Sequence, residues 1–590
     1  MSNNSLKNEI IKSLNEHKDK NVIISDSGVF TYQMISDYLF NMRSNISFDN
    51  RVIVSLCDRN INSIVCLLFA ILTDNIFFPL DATTNKEVIL NQVKELNGVI
   101  FTDKNETLMQ FNDDNYDLVV FDFLKKEYFS KLNIKKNNIL KFDRRIQYIY
   151  STSGSISTPK QVLGRGDSLM DFLQWEIRQF DLKSNDCFLN ITKPFFDPYL
   201  RDILIPVLLG ATIFIPDNQI VLRYDSLVKY LVDNQITIIH TIPSIFRNLI
   251  KQEYLYNSTK LKYFFLAGEL LYSKDVNYFY YRKNRNTKVV NLYGPTETTL
   301  AKFYYIVNDP MKTNVVPVGK PINNKFSASV YIDKCREFDF MYDNKEVGEI
   351  IIHTNGASFG YLDKSMNAPF EFLENDYIKF HTQDYGYVND FGDLVINGRL
   401  NNVIKINGEK IDLNEITICI NENNIVQSGC VIDILIDDKI KIVAAVVLNS
   451  KNKFSNIHSI LNEYLYLNGF KYVPQFYLEL DELPTLSNGK LNKNELRKMA
   501  LDAIEKQKCT FKTSENKILE KLMSIIHDTI GLNFEQEVSM KTKLIDFGVD
   551  SLLMIEIIIT IEAEFNIYID ETKLELSTLS IEDLIKIINE

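Results

Sequence analysis

The chain has little tryptophan, histidine and cysteine. Its 590 residues include one tryptophan, six histidines and seven cysteines. The cysteine count is odd, the spacing is irregular and no Cys-x-x-Cys pair occurs, so neither a disulfide framework nor a zinc site is expected. This cysteine usage favours a reducing, cytoplasmic location. The cysteines are Cys57, Cys66, Cys187, Cys335, Cys419, Cys430 and Cys509.

A basic excess and long apolar runs are also missing. There are 65 Lys and Arg residues against 77 Asp and Glu residues, which gives a net charge of −12. No Lys/Arg-dense stripe with interleaved aromatic residues occurs, so no nucleic-acid partner is expected. The longest apolar stretches, such as residues 64–72, are too short for a membrane span. The polar start of the chain lacks the apolar core of a signal peptide, and we expect a soluble protein without membrane association.

The chain up to about Gly294 shows a regular alternation. Apolar, β-branched runs alternate with longer segments of helical spacing, which predicts an α/β layered architecture. The whole length suggests roughly three to four domains. The strand-like runs are NVIISDS (21–27), RVIVSLC (51–57), LNGVIFTD (96–103), YDLVVFDF (116–123), TIIHTIP (237–243), LKYFFLAG (261–268) and KVVNLYG (288–294).

The later part of the chain changes character twice. Short, glycine-punctuated strands are expected up to Leu394, and residues 397–399 (NGR) are predicted to form a turn. A smaller α+β segment is predicted from Gly398 to about Ala500. A charged, helical linker then leads to an all-helical tail that begins at about Glu515.

Two motifs, one within the alternating part and one at its end, are candidates for phosphate chemistry. Residues 150–162 read YSTSGSISTPKQV, and their hydroxyl groups and backbone N–H groups can hold a polyphosphate. Taken alone, such a Ser/Thr/Gly run is more often a plain surface loop. Residues 291–299, NLYGPTETT, place Glu297 just after a buried strand. A carboxylate there can hold Mg²⁺ beside phosphates, or it can simply cap the next helix.

Two further motifs follow later in the chain. Residues 380–388, FHTQDYGYV, offer Asp384 for ribose hydroxyls, and GRLNNVIKINGEKI follows at 398–411. The segment PTLSNGKLNKNEL, residues 484–496, places Lys490 on a glycine turn. A lone Lys or Arg is usually part of the solvated surface, so the order of the motifs carries the argument.

In this order the motifs resemble those of nonribosomal peptide synthetase adenylation domains, within the adenylate-forming superfamily. The family patterns are approximately TSGSTGxPKG, YGPTE, TGD, GRxDxQVKIRG and NGKLDR, and the match extends from the start of the chain to about Ala500. The resemblance implies a multidomain fold with an α/β adenylate-forming large subdomain, a small mobile α+β subdomain and a C-terminal all-α four-helix carrier bundle. The implied domains are 1–397, 398–500, a linker at 501–513, and a peptidyl carrier (thiolation) domain at 514–590.

The resemblance also implies an ATP-dependent ligase of the kind that builds secondary metabolites such as antibiotics. The implied catalytic residues are Lys490, Glu297 and Thr298. Lys490 would bridge the substrate carboxylate and the α-phosphate, and Glu297 would bind Mg²⁺. Asp384 would hold the ribose, Tyr293 would lie near the adenine, and Gly408 would line the approach of pantetheine. The implied nucleotide-binding residues are Ser151, Thr152, Ser153, Gly154, Ser155, Lys160, Tyr293, Gly294, Asp384 and Arg399.

This chain departs from the family pattern at four places. The phosphate loop has Ile156-Ser157 where the family has Thr-Gly, and Gln161 where it has Gly. Gln383 replaces the Gly of TGD, and Asn401 replaces the usual acidic residue at the implied hinge. Loss of glycine restricts φ, which bears on ATP affinity and rate, while the charged groups that do the chemistry are retained.

The helical tail contains a second candidate site. Asp550-Ser551-Leu552 is predicted to start a helix with apolar residues at helical spacing. An isolated Ser at that position would simply be an N-cap. The Gly-x-Asp-Ser-Leu pattern and the length of the tail, however, resemble peptidyl carrier domains. That resemblance implies a 4′-phosphopantetheine on Ser551, attached by a phosphopantetheinyl transferase, and downstream enzymes that act on the carried aminoacyl group.

The segment 193–212 resembles the start of the substrate pocket in this family. Asp197 would pair with the amine of an amino acid, and Arg201, with His240, would meet a second carboxylate. An acidic amino acid is therefore predicted, with a neutral one as the alternative. Asp197 could instead be a helix cap, or an i,i+4 partner of Arg201. The implied lining is Asp197, Pro198, Arg201, His240, Phe265, Ala267, Leu292, Leu300 and Ala301, a set similar to the aminoadipate reductase subgroup.

Three other functions are compatible with parts of the sequence. A free-standing acyl-CoA synthetase would explain the chain up to about Ala500 but not the carrier-like tail. A non-catalytic binding module would explain the altered phosphate loop. A reductase-containing synthetase would need a dinucleotide-binding domain, and none is expected in this sequence, nor is a condensation or thioesterase domain.

Overall fold

The chain folds into two compact units. Unit 1 comprises Met1–Asn401 and Leu486–Lys490, and unit 2 comprises Asn402–Thr485 and Leu491–Glu590. The structure, a computed structural model, describes residues 4–46, 48–104, 117–131, 142–152, 160–282, 286–323, 326, 328–333, 341–342, 345–406, 409–436, 439–449, 457–486, 489–510, 516–530, 542–544, 551–565, 567, 569 and 579–589.

The first large sheet of unit 1 has nine strands. The six central strands are mutually parallel, and the strands at both edges are antiparallel. The central strands are apolar and rich in β-branched residues, as expected when both faces of a parallel sheet are covered. In sheet order the strands are Lys320–Pro321, Phe303–Val307, Lys288–Tyr293, Tyr263–Ala267, Ile238–Thr241, Cys187–Leu189, Thr212–Ile215, Asn21–Ser25 and Gly28–Thr31.

The second large sheet of unit 1 has seven strands and is again parallel at its centre. One hydrophobic cluster joins the two sheets, since it contains Phe77 and Phe101 from the second and Ile213 and Val290 from the first. In sheet order the strands are Glu127–Lys131, Asp117–Asp122, Val99–Thr102, Val52–Ser55, Ile76–Pro79, Ile146–Thr152 and Lys160–Arg165.

Helices cover these two sheets. The most deeply buried is Ile61–Leu72, which starts after Asn60, whose side-chain oxygen accepts from the backbone N–H groups of Asn62 and Ser63. The only tryptophan, Trp175, is 4% exposed and lies in the hydrophobic core. Among the described residues of unit 1, the α-helices are Asn4–Glu16, Tyr32–Asn45, Ile61–Leu72, Lys86–Leu96, Gly166–Gln179, Pro198–Leu209, Asn218–Val221, Tyr224–Asp233, Pro243–Leu249 and Ser273–Arg282, with 3₁₀ turns at Glu253–Asn257, Thr296–Thr298, Lys364–Met366 and Glu374–Asp376.

A third sheet of unit 1 is antiparallel. It overturns the prediction of a turn at residues 397–399, because these residues end a strand, where Tyr385 pairs with Gly398 and Asp384 with Arg399. In pairing order the strands are Ala328–Asp333, Gly348–Thr354, Ile378–Val388 and Phe370–Phe372, with Leu394–Arg399 on the other side of Ile378–Val388, and a small hairpin is formed by Met341–Tyr342 and Lys345–Glu346.

The first part of unit 2 has an α+β composition. Two of its helices, Leu413–Glu422 and Ile457–Leu467, share a hydrophobic cluster with its strands. The third, Lys493–Thr510, packs Leu496, Ala500 and Ile504 into a second cluster, so the predicted boundary at residue 500 falls inside a helix. The strands are the hairpin Val403–Ile406 and Glu409–Asp412, and the sheet Val426–Ile436, Lys439–Leu448 and Phe476–Glu479.

The described part of the remainder of unit 2 consists mainly of helices. The helices are Asn516–Ile530, Ser551–Phe565 and Ile581–Asn589. They share a hydrophobic cluster that includes Ile526, Ile561 and Leu584. A fourth helix of the predicted bundle would lie outside the described residues. Across the described residues of the whole chain, no helix is long and apolar enough to cross a membrane.

Candidate active site

The predicted pocket residues on the nine-stranded sheet come from three adjacent parallel strands. His240 lies opposite Phe265 in one register, and Ala267 lies opposite Leu292 in the next. Phe265 and Ala267 are two residues apart, so their side chains share one face of the sheet. His240, Phe265 and Leu292 are buried. The sheet therefore brings together residues that are far apart in sequence.

Asp197 lies at the start of the helix Pro198–Leu209, of which Pro198 is the first residue. Asp197 makes no side-chain capping hydrogen bond. Among the described ion pairs none joins Asp197 to Arg201; Arg201 instead lies 4.0 Å from Glu176. Asp197 therefore occupies the N-cap position without a side-chain capping hydrogen bond, and no ion pair between Asp197 and Arg201 is seen among the described residues.

The carboxyl group of Asp197 lies among several polar groups. Burial raises its pKa to about 6, and Glu297 adds to the rise, while a hydrogen bond with Thr296 and the positive charges of Lys490 and Arg201 oppose it. Lys490 and Glu297 are thus close enough to Asp197 for their charges to shift its pKa. A carboxyl group held at such a pKa is a candidate for function, because folding alone gains nothing from it.

Lys490 belongs to unit 1 although it follows most of the α+β part of unit 2 in the sequence. Its loop is held there by Ser244, whose hydroxyl donates to the backbone oxygen of Gly489 at 3.4 Å. Lys490 also acts on Glu269: burial raises the pKa of this carboxyl group, and the charge of Lys490 partly lowers it. Gly268 leaves room for the lysine, since a Cβ atom at that position would lie 3.1 Å from Cε of Lys490.

The motif at residues 291–299 forms a tight turn around Glu297. Glu297 is 8% exposed, and its Oε1 accepts a hydrogen bond from the hydroxyl of Tyr361 at 2.7 Å. The hydroxyl of Thr298 donates to the backbone oxygen of Pro295 and closes the turn. A side chain at Gly294 would clash with backbone, because its Cβ would lie 2.6 Å from the oxygen of Leu300. The turn therefore fixes the position of the Glu297 carboxylate.

The chain leaves this turn in a strained conformation. Thr299 and Leu300 have φ values of 71° and 56°, in the left-handed region that non-glycine residues seldom adopt. Both are buried, as is Ala301. Strained backbone of this kind clusters at functional sites, and here it sets the direction of two predicted pocket residues, Leu300 and Ala301.

Asp384 links two of the other predicted nucleotide-binding residues. Its Oδ2 accepts from the Tyr293 hydroxyl at 2.7 Å, and its Oδ1 accepts from Nε of Arg399 at 2.8 Å. Burial and the Asp384 carboxylate hold the pKa of Tyr293 well above its usual value. The phenol is therefore a permanent donor to Asp384. The residue before Asp384, Gln383, has a φ of 59°, so the glycine of the family pattern has been replaced at a position with a left-handed backbone.

The predicted phosphate loop is described only at its two ends. Ser151 and Thr152 end one strand and Lys160 begins the next, with Thr152 opposite Lys160. The Lys160 ammonium lies 5.0 Å from the ring centre of Tyr361, the tyrosine that binds Glu297. Ser153, Gly154 and Ser155 lie outside the described residues, as do Ile156 and Ser157.

The remaining predicted residues lie near the border of the units or in the tail. Asn401 is part of the 3₁₀ turn Leu400–Asn402, and the units divide just after it. Gly408 lies outside the described residues. Ser551 is the first residue of the helix Ser551–Phe565.

Sequence reasoning missed two acidic residues that contact the predicted pocket. His240 is bound on both sides: its Nδ1 lies 2.8 Å from Oδ1 of Asp202, and its Nε2 lies 2.8 Å from Oε1 of Glu176. Both carboxyl groups are at most 1% exposed. For Glu176 a signal was present, since Leu169, Phe172 and Glu176 follow helical spacing and place an acid on the apolar face.

Family models match two parts of the chain. The model for AMP-binding enzymes matches residues 47–362, and the model for the phosphopantetheine attachment site matches residues 520–586. Gramicidin S synthase 2 of Aneurinibacillus migulanus is 23% identical over 459 residues, which is 76% of this chain and 10% of that protein. The D-alanine–D-alanyl carrier protein ligase of Bacillus licheniformis is 29% identical over 360 residues, 59% of this chain and 70% of that protein. The chain spans about a tenth of gramicidin S synthase 2 and of bacitracin synthase 1 of Bacillus licheniformis.

A solved structure has the same fold. A four-domain nonribosomal peptide synthetase, bound to AMP and glycine, superposes with a TM-score of 0.69 at 20% identity. The match covers 99% of this chain and 42% of that one. The predicted multidomain, adenylate-forming fold with a helical carrier domain is therefore confirmed.

Proposed function

We propose a function on the premise that this chain belongs to the family of AMP-binding enzymes and contains a phosphopantetheine attachment domain. The chain is an adenylation–carrier didomain of the nonribosomal peptide synthetase type. In the first half-reaction the carboxylate of an amino acid attacks the α-phosphate of ATP, and pyrophosphate leaves. In the second, a thiol attacks the aminoacyl adenylate, a thioester forms and AMP leaves.

The observation that carries the proposal is the convergence of Lys490, Asp197 and Glu297. Lys490 comes from a loop that is far from Asp197 in sequence, yet its charge acts on that carboxyl group. We assign Asp197 to the substrate amine, and Lys490 to the oxygens of the carboxylate and the α-phosphate. A fixed cation there stabilises the negative charge that grows in the transition state, which is commonly worth a few kcal/mol.

The nucleotide is assigned to the remaining side chains of this region. Asp384 would accept hydrogen bonds from the ribose, since each of its oxygens has a lone pair beyond those used by Tyr293 and Arg399. Ser151, Thr152 and Lys160, at the two ends of the phosphate loop, would contact the phosphates together with Ser153, Gly154 and Ser155. Tyr293 would lie near the adenine, in the turn that Gly294 allows.

Glu297 fits a magnesium ion that is held mainly by phosphates. Mg²⁺ is usually bound in proteins by one or two carboxylates together with substrate phosphates. Glu297 offers such an oxygen donor, while among the described residues no group of three or more His, Cys, Asp or Glu side chains could hold a metal. The cation would neutralise charge on the phosphates, and Glu297 and Thr298 would orient it.

Ser551 is assigned as the attachment site of 4′-phosphopantetheine. It begins a helix within the matched carrier domain. When attached, the arm supplies the thiol that receives the amino acid. The implied partners are a phosphopantetheinyl transferase and the downstream enzymes that take the aminoacyl group. We keep the domain limits 398–500, 501–513 and 514–590 as proposals.

Asn401 is assigned as the hinge between the two half-reactions. On one side of it, Arg399 is anchored to Asp384 within unit 1. On the other side, Asn402 is anchored within unit 2, where it accepts from Lys493 at 3.0 Å and donates to Asn414 at 2.8 Å. A backbone rotation is therefore least hindered between these anchors, and hinges are short segments of this kind.

The side chain of the substrate remains the open part of the proposal. The sequence predicts an acidic amino acid, on the grounds that Arg201 is a buried cation, and a neutral amino acid is the alternative. An ATP–pyrophosphate exchange assay across all amino acids tests the function and names the substrate. Exchange with one amino acid or a few, followed by its covalent loading after treatment with a phosphopantetheinyl transferase and coenzyme A, is expected. Exchange with none, or release of the acyl group onto free coenzyme A alone, would contradict the proposal.

A further inference from the structure

Four charged side chains form a buried network that includes two of the predicted pocket residues. They are Glu176, Arg201, Asp202 and His240, and each is at most 3% exposed. They come from three elements: the helix Gly166–Gln179, the helix Pro198–Leu209 and the strand Ile238–Thr241. Charged groups this deeply buried are costly unless each one is paired and hydrogen-bonded.

Within the network, the hydrogen bonds of His240 are complete. Its two ring nitrogens lie 2.8 Å from Asp202 and from Glu176. Burial and Arg201 lower the pKa of His240, but the two carboxylates outweigh them, so its pKa lies above the ordinary value. The second oxygen of Asp202 accepts from the side-chain amide of Asn190 at 3.3 Å. The imidazole ring therefore connects the two carboxyl groups inside the network, and neither of its nitrogens is available to bind a ligand.

The hydrogen bonds of Arg201 and Glu176 are incomplete. Nε of Arg201 and Oε2 of Glu176 are both buried without a hydrogen-bond partner among the described residues. The same Oε2 lies 4.0 Å from Nη1 of Arg201, too far for a direct hydrogen bond. One unused donor on Arg201 and one unused acceptor on Glu176 therefore belong to neighbouring side chains, and a buried polar atom without a hydrogen bond is costly.

The charges of the network already balance. With His240 protonated there are two positive and two negative groups, so the network needs no further anion. A substrate carboxylate beside Arg201 would also lie beside Glu176, and two close carboxylates cannot both stay ionised without a large cost. A carboxylate, moreover, offers only acceptors and leaves the acceptor on Glu176 without a donor.

We propose that Arg201 and Glu176 together select a substrate amino acid whose side chain ends in a carboxamide. The amide oxygen would accept from Arg201, and the amide nitrogen would donate to Glu176. Arg201 lies one helical turn beyond Asp197, which is about 6 Å along the helix axis. Asp197 and Arg201, one at the start of the helix and one a turn further on, would thus bind the amine and the amide of the same small amino acid. This inference rests on the proposed adenylation function, whose substrate class it specifies.

The test is ATP–pyrophosphate exchange with matched pairs of amino acids. Asparagine is compared with aspartate, glutamine with glutamate, and the δ-amide of 2-aminoadipate with 2-aminoadipate. For the best chain length, kcat/KM for the amide is expected to exceed that for the acid by at least about 100-fold, since sites built to hydrogen-bond a group reject analogues that lack it strongly. A preference for the acid, or for an apolar amino acid over both, would overturn the inference while leaving the proposed function intact. Exchange with no amino acid would overturn both.

Two variants test whether Glu176 selects the substrate or only stabilises the buried network. Glu176→Gln keeps the shape but removes the charge, and it should lower the amide-to-acid ratio of kcat/KM by about 10-fold or more, because a well-placed hydrogen bond to a charged group is worth about 1.5–3 kcal/mol. Asp202→Asn removes the same charge from the other side of His240, and it should leave that ratio unchanged even if total activity falls. Equal effects of the two variants on the ratio would reject the role of Glu176. The preference of the wild-type enzyme decides the substrate class even if a variant fails to fold.

Discussion

Replacing Asp197 by asparagine should make unit 1 more stable and less active. The carboxyl group has a pKa of about 6 in the folded chain, against 3.8 for an unperturbed aspartate. Burial is the main cause, and the nearby positive charges only partly compensate. Each pKa unit corresponds to 1.36 kcal/mol, so ionised Asp197 costs the folded state about 3 kcal/mol. Asparagine is nearly isosteric and avoids this cost.

The sign follows from proton linkage. Between pH 4 and pH 6 or so, the folded state holds a proton on Asp197 that the unfolded state has lost, so the free energy of unfolding falls as the pH rises through this window. The cost is almost absent below the lower pKa and complete above the higher one. Asp197→Asn should therefore raise the free energy of unfolding by about 3 kcal/mol at pH 7.5, and by only about 1 kcal/mol at pH 4.5.

The single tryptophan provides the assay. Trp175 is buried in unit 1 and is the only tryptophan of the chain, so its fluorescence during urea unfolding reports on that unit. Asp143→Asn is the matched control in the same unit. Chiefly through its hydrogen bond, Arg145 lowers the pKa of Asp143, so this second variant should lose stability at neutral pH. Exchange activity of Asp197→Asn should fall at least about 100-fold, since the substrate amine loses its partner.

Two results would refute this reasoning. One is a variant that gains no stability at pH 7.5. The other is a gain that stays the same at pH 4.5, because a pH-independent gain would have its origin in packing and not in ionisation. A stable variant with full exchange activity would leave the electrostatics in place but remove Asp197 from the substrate site.

Three further changes test the remaining assignments. Lys490→Ala should lower adenylate formation by orders of magnitude, while transfer from preformed adenylate survives; equal loss in both half-reactions would reject the assignment of Lys490 to the adenylation step alone. Ser551→Ala should leave pyrophosphate exchange intact and abolish covalent loading, and mass spectrometry that finds the arm on another residue would defeat the assignment. Asn401→Pro should block thioester formation with little effect on exchange, because proline fixes φ at the proposed hinge; a matching loss of exchange would place the hinge elsewhere.

The fold and the family could be predicted from the sequence because their signals are local and ordered. Apolar runs such as residues 237–243 and 261–268 mark parallel strands, which the structure shows as Ile238–Thr241 and Tyr263–Ala267. The motifs led to the family, which the matched models confirm over residues 47–362 and 520–586. The turn predicted at residues 397–399 was wrong because pairing with a neighbouring strand overrode the local turn preference of Asn-Gly.

The electrostatic environment could not be predicted in the same way. Arg201 and His240 were predicted to bind an anion, because the helical spacing that places Glu176 on an apolar face does not show which residues it contacts. Only the packing of the helix Gly166–Gln179 against the sheet brings that carboxylate to His240. A sequence pattern can predict the residues that line a pocket, but it does not predict which charged residues of other elements pack against them.

The left-handed backbone at Leu300 has a consequence for redesigning this enzyme. Attempts to change substrate choice usually exchange pocket side chains and treat the main chain as fixed. At a φ of 56°, any residue with a Cβ atom carries backbone strain of about 1–2 kcal/mol, and β-branched valine or isoleucine fits this conformation worst. Glycine would relieve the strain, and asparagine tolerates such a φ better than most residues. A library randomised at this position would therefore be enriched in glycine and asparagine whatever amino acid is offered. Variation at Leu292, which lies on a regular strand, would report on the substrate itself.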